Sequence, residues 1–161
     1  EMADEVETKQ TTFNKELIHA FRKNFNFCPV YFFESQYSES LLNDRMDGVV
    51  FVNDSLQPDP SIKCTKSEFL TAEISILEAD TSSYFENKRY DYGGSQKSYY
   101  GGPDLGFDVL KIMNNHFVQL RYPFPYYVRT YDSHPDSKKL AKVVTKMNNK
   151  LQSYYEANKP K

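Results

Sequence analysis

The sequence predicts an α+β domain, an antiparallel-rich sheet of about five to seven strands with the N-terminal and C-terminal helices packed on one face. Apolar residues recur at helical spacing near both ends of the chain and alternate with polar ones in the middle. Glycine and proline crowd the second half, where strands need turns. A length of 161 residues suits one domain with a substantial core. We therefore divide the chain into a flexible acidic N-terminal tail at 1–11, a single globular domain at 12–157 and a short C-terminal tail at 158–161.

The tail follows from Glu1, Asp4, Glu5 and Glu7 standing against Lys9 with no apolar period. From Phe13 the residues Phe13, Leu17, Phe21 and Phe25 keep a four-residue spacing, which predicts a first helix over about 13–24 capped by Thr11 or Thr12. Pro29 ends it, and Val30 to Phe33 reads as a strand. Ser38 to Asp47 reads as a short helix, with Gly48 turning into a second apolar run at Val49 to Val52. Two such runs joined by a helix suggest a parallel βαβ unit.

Pro58 and Pro60 mark a loop over 53–65. The clearest strand follows, with Leu70, Ala72, Ile74 and Ile76 alternating with Thr71, Glu73, Ser75 and Leu77, and the first set is expected to face the core. Tyr84, Tyr90 and Tyr92 share parity in a further extended segment. The tripeptides Tyr92-Gly93-Gly94 and Tyr100-Gly101-Gly102 then echo each other as two glycine turns flanking a loop.

Residues 104–122 fit either a helix capped by Asp104 or a hairpin turning at Asn114-Asn115. The hairpin uses more of the residues, placing Val109 opposite Leu120, Ile112 opposite Phe117 and Asp108 opposite Arg121. Pro123 and Pro125 interrupt it, each after an aromatic residue where a cis bond is at home. Tyr126 to Tyr131 resumes the sheet. Asp136 then opens a long helix with Leu140, Val143, Val144, Met147 and Leu151 on its apolar stripe.

Function is less legible. Nine of the 13 tyrosines lie between Tyr84 and Tyr131, and tyrosine with arginine is the composition of surfaces that grip a partner. The candidate binding set is Arg89, Tyr90, Tyr92, Tyr99, Tyr100, Tyr122, Tyr126, Tyr127 and Arg129, with core filling as the competing reading. It suggests a non-catalytic binding or assembly module contacting a protein or glycan partner. A different class of reading, a small hydrolase or lyase, uses His116 or His134 as general base. A third is a structural subunit that pairs through an edge strand.

No nucleophile elbow, dinucleotide fingerprint, P-loop or EF-hand spacing is present, so no cofactor or metal is expected. A net charge of −2 argues against a general nucleic-acid partner, and no apolar run is long enough for a transmembrane segment. Homo-oligomerisation fits the binding-module reading. Cys28 and Cys64 are compatible with two buried thiols or with one disulfide. The acidic start before a Tyr-rich body leans toward an extracytoplasmic setting, secreted or periplasmic. Lys138, Lys142, Lys146 and Lys150 recur every four residues, either as a solvated flank or as a row for an acidic partner or anionic lipid headgroups.

Overall fold

The computed structural model describes residues 2–43, 45–65, 68–78, 84–88, 95–99, 107–132 and 134–159, with the backbone alone at 2–4, 84–88 and 95–99. In order these are α1 (Met2–Asn24), β1 (Phe32–Phe33), a 3-10 turn (Ser35–Tyr37), α2 (Ser38–Leu42) and a second 3-10 turn (Met46–Gly48). There follow β2 (Phe51–Val52), β3 (Thr71–Ile76), β4 (Tyr84–Lys88), β5 (Ser95–Tyr99), β6 (Asp108–Met113), β7 (Tyr127–Arg129) and α3 (Ser137–Ala157). The class is α+β, and among the described residues every strand pair is antiparallel. The strands divide into separate sheets, β1-β2, β3-β6-β7 and β4-β5, in place of the one larger sheet expected.

Strand β6 is the spine of the core because both of its faces are covered. Leu110 and Ile112 point toward Ala20 and Phe21 of α1 and Leu140, Val143, Val144, Met147 and Leu151 of α3. Val109 takes the opposite face with Leu77 and Tyr126. Successive side chains on a strand alternate sides, so a single strand can serve two clusters. β1 does the same on a smaller scale: Phe32 packs on the helical cluster, and Phe33 on a third one around Leu41, Val49 and Phe51.

The two long helices run the same way. Phe13 near the middle of α1 meets His134 ahead of α3, with ring centroids 5.2 Å apart, while Phe27 beyond α1 meets Tyr155 at the far end, 6.1 Å apart. Asp136 caps α3 as expected, its carboxylate accepting the Lys139 amide at 2.9 Å. Among the described residues no helix is long and apolar enough to cross a membrane.

Several expectations are corrected. α1 begins at Met2, so residues expected as a tail form its first turns; residues 5–11 are exposed, with local contacts such as Lys9 to Glu5, four residues apart at 2.7 Å. Thr11 and Thr12 lie inside the helix, and the Thr12 hydroxyl donates back to the Thr8 carbonyl. β1 and β2 pair antiparallel, Phe32 with Val52 and Phe33 with Phe51, because the connector folds into short turns that reverse the chain instead of a crossover.

The faces of β3 also differ. Ile74 reaches the helical cluster, but Leu70 and Ile76 are exposed, while Thr71 and Leu77 are buried on the other side beside the residues of β6. A short edge strand is covered only where its neighbours extend, and this overrides its alternation. A hairpin does follow β6, yet with a longer loop: Met113 bridges Gln119, and the intended partner of Ile112, Phe117, sits in the loop with a positive φ of 58°. Asp108 lies opposite Ile76, not Arg121. The Tyr122–Pro123 bond is cis. Cys28 is exposed and Cys64 half-buried.

Candidate binding surface

β7 is an edge strand, and α3 lies beside it. Residues Tyr127 and Arg129, two apart on that strand, point to one side, and Tyr131 continues the row just beyond it. The Arg129 guanidinium stands 3.6 Å from the centre of the Phe107 ring and 5.0 Å from that of Tyr131, a cation between two aromatic faces. Tyr131 itself is 76% exposed and adopts a left-handed φ of 70°, unusual for an aromatic residue.

On the neighbouring flank of α3, Lys150 donates from Nζ to the Tyr127 carbonyl at 3.0 Å and stands 5.4 Å from the Tyr127 ring. Its burial, and then the charge of Lys146 one turn away, push the Lys150 pKa down. Lys142, Lys146 and Lys150 form one wall of an open groove of about 660 Å³. Ala141, Thr145, Asn149 and Ser153, also four residues apart, form its floor, with Pro125 at the rim. Thr145 turns its hydroxyl back to the Ala141 carbonyl at 2.8 Å, so its methyl group faces outward. Among the described residues, none of Lys138, Lys142 and Lys146 forms an ion pair. The arrangement presents cations above a shallow, small-residue channel, which can receive an elongated acidic element.

Of the residues proposed from sequence, the structure brings together Tyr127 and Arg129. Tyr122 is 88% exposed on the proline loop, outside that row. Tyr126 is the exception: at 8% exposure it belongs to the core cluster with Val109 and Leu77, and half-buried Tyr127 packs on the same cluster with its ring 5.0 Å from that of Tyr126. Arg89, Tyr90, Tyr92 and Tyr100 lie outside the described residues, as do both glycine pairs, and Tyr99 is described only as a backbone position paired with Tyr84. The lysine row was visible in the sequence. The small-residue row beside it was equally periodic, but only Pro125 across from it turns a helix flank into a groove.

The histidines are placed far from any such convergence. His116 sits exposed on the turn after β6, its Nδ1 2.9 Å from the Asn115 side-chain oxygen. His134 is exposed with its ring edge against Phe13. Among the described residues neither pairs with a carboxylate, and no cluster of three metal-ligating side chains forms. No protein-family model matches the chain, and neither does any curated protein or solved structure.

Proposed function

We propose that the chain is a non-catalytic binding or assembly module whose contact surface is the lysine flank of α3, beside the edge of the sheet. The observation that supports this reading is the groove itself, three lysines beside a row of small side chains. Lysine stems cover apolar surface while their charges stay in water, so an acidic partner gains both contact area and charge neutralisation there. Of the two partner classes, an acidic polypeptide fits better than a neutral glycan, because the groove offers ammonium groups and the flat ring platforms a sugar stacks on lie outside it.

A fluorescently labelled oligo-glutamate peptide tests this directly. Binding followed by polarisation at 50 mM salt is expected, with a loss of about tenfold or more at 500 mM and a comparable loss in the Lys142→Glu/Lys146→Glu variant. Failure to bind, or binding indifferent to those two lysines, would remove the reading.

A second reading, assembly through the outer edge of β3, draws on the exposed Ile76 of that strand and Leu70 just ahead of it. Ile76→Lys would then abolish assembly while leaving the lysine groove active.

A further inference from the structure

The first turns of α1 lie outside the hydrophobic clusters formed by the described residues. Phe13 is its first residue in the helical core, and residues 5–12 are all exposed, including Val6 at 67%. Since α1 and α3 run parallel and Phe13 already meets His134 ahead of α3, the segment before it projects beyond the N-terminal end of α3. In sequence, residues 2–12 carry three carboxylates, Asp4, Glu5 and Glu7, against one cation, Lys9. Such an extension is helical without apolar burial to hold it, which is a marginal state for a few turns alone.

We infer that this acidic extension of α1 occupies the lysine groove on α3 of a second copy of the chain. This rests on the reading of the groove as a binding surface. Charge is complementary, with carboxylates on the extension and Lys142, Lys146 and Lys150 along the groove. Length is matched as well: residues 2–12 span about 16 Å as helix and the groove from Ala141 to Ser153 about 18 Å, at 1.5 Å per residue. A row of small residues four apart is the kind of channel into which a helix ridge seats. The extension cannot reach the groove of its own chain, because α1 is continuous and its packed half fixes the extension pointing away from it.

One helix end in one groove buries less than the roughly 1,600 Å² of a standard interface, so the association is weak and concentration-dependent. A two-fold pair makes the contact twice, each copy lending its extension to the other.

The test is a charge swap in the full chain, read by sedimentation velocity over a concentration series. Wild type associates at 50 mM salt and is at least about tenfold weaker at 500 mM. Lys142→Glu/Lys146→Glu alone and Glu5→Lys/Glu7→Lys alone stay monomeric, since each confronts like charges. Mixed one to one, they associate again. Circular dichroism of each variant checks that the fold survives, and the substituted side chains are all exposed. A wild type that stays monomeric at 50 mM salt, or a mixture that does not associate, overturns the inference. The oligo-glutamate peptide separates the two levels: if it still binds the groove when the swap fails, the binding surface stands and its occupant is another acidic segment; if it does not, both fall.

Discussion

Asn26 and Asn148 hold each other reciprocally. The Asn148 side-chain oxygen accepts the Asn26 amide at 2.9 Å and the Phe27 amide at 3.0 Å, while its Nδ2 donates to Asn26 Oδ1 at 3.0 Å. Gln152 adds a second donor to the same Asn26 oxygen at 2.8 Å. One buried amide on α3 thus satisfies the chain as it leaves α1, and locks the parallel helices in register.

Replacing Asn148 by Leu leaves two backbone donors without this acceptor. The expected cost is about 2–4 kcal/mol, or a fall in Tm of roughly 5–15 °C for a chain of this size. Thermal unfolding followed by circular dichroism measures it, and a change below about 1 kcal/mol would mean that water replaces the amide without loss.

Lys111 is buried at 4% exposure between Glu73 and Glu78, with Nζ 3.2 Å from a carboxylate oxygen of each. Removing both carboxylates strands an ammonium group in the core, so Glu73→Gln/Glu78→Gln should cost about 3 kcal/mol or more. Each single change should cost well under half of that, because the other carboxylate remains. Lys111→Met, which removes the charge along with its need for partners, should cost less than the double variant. Urea denaturation of the four proteins decides it; strictly additive single effects would contradict a shared ammonium group.

The loops after β2 and β6 are the same turn built twice. Asn53 Oδ1 accepts the amides of Ser55 and Gln57, and Asn114 Oδ1 those of His116 and Val118. The fourth residue of each, Leu56 and Phe117, has a positive φ of 62° and 58°. Glycine relieves that conformation by about 1 kcal/mol, so Leu56→Gly should be neutral or stabilising. Phe117→Gly should instead lose about 2 kcal/mol or more, since its ring packs on the Leu41, Val49 and Phe51 cluster. Equal effects at both sites would show that backbone strain dominates over packing.

Lys150 makes a pH prediction with a definite sign. Its folded pKa lies below the ordinary 10.5, through burial first and the Lys146 charge second, so below 10.5 there is an interval in which the unfolded chain binds more protons. Stability therefore rises with pH as Lys150 loses its proton in the fold, and the penalty it carries at neutral pH is relieved. The difference in unfolding free energy between wild type and Lys150→Met should grow in favour of wild type as pH approaches 10.5. Lys139 and Lys159, whose pKa values are raised by Asp132 and Glu156, act oppositely but cancel in that difference. A difference that stays flat would place the ammonium group in bulk water.

What the sequence determined by itself was whatever short-range periodicity and local capping dictate. The apolar stripe of α3, its Asp136 cap, the Phe spacing of α1 and the hairpin after β6 all depend on residues a few positions apart, whose free energies are local. Tertiary structure decided the rest because the deciding energies came from distant partners. The direction of β1 against β2, the side of β3 that is buried and the inward turn of Tyr126 each depend on which surface happens to lie opposite. The same holds for the candidate site: a row of lysines four apart is written in the chain, but it becomes the wall of a groove only where the segment ahead of β7 brings Pro125 alongside α3.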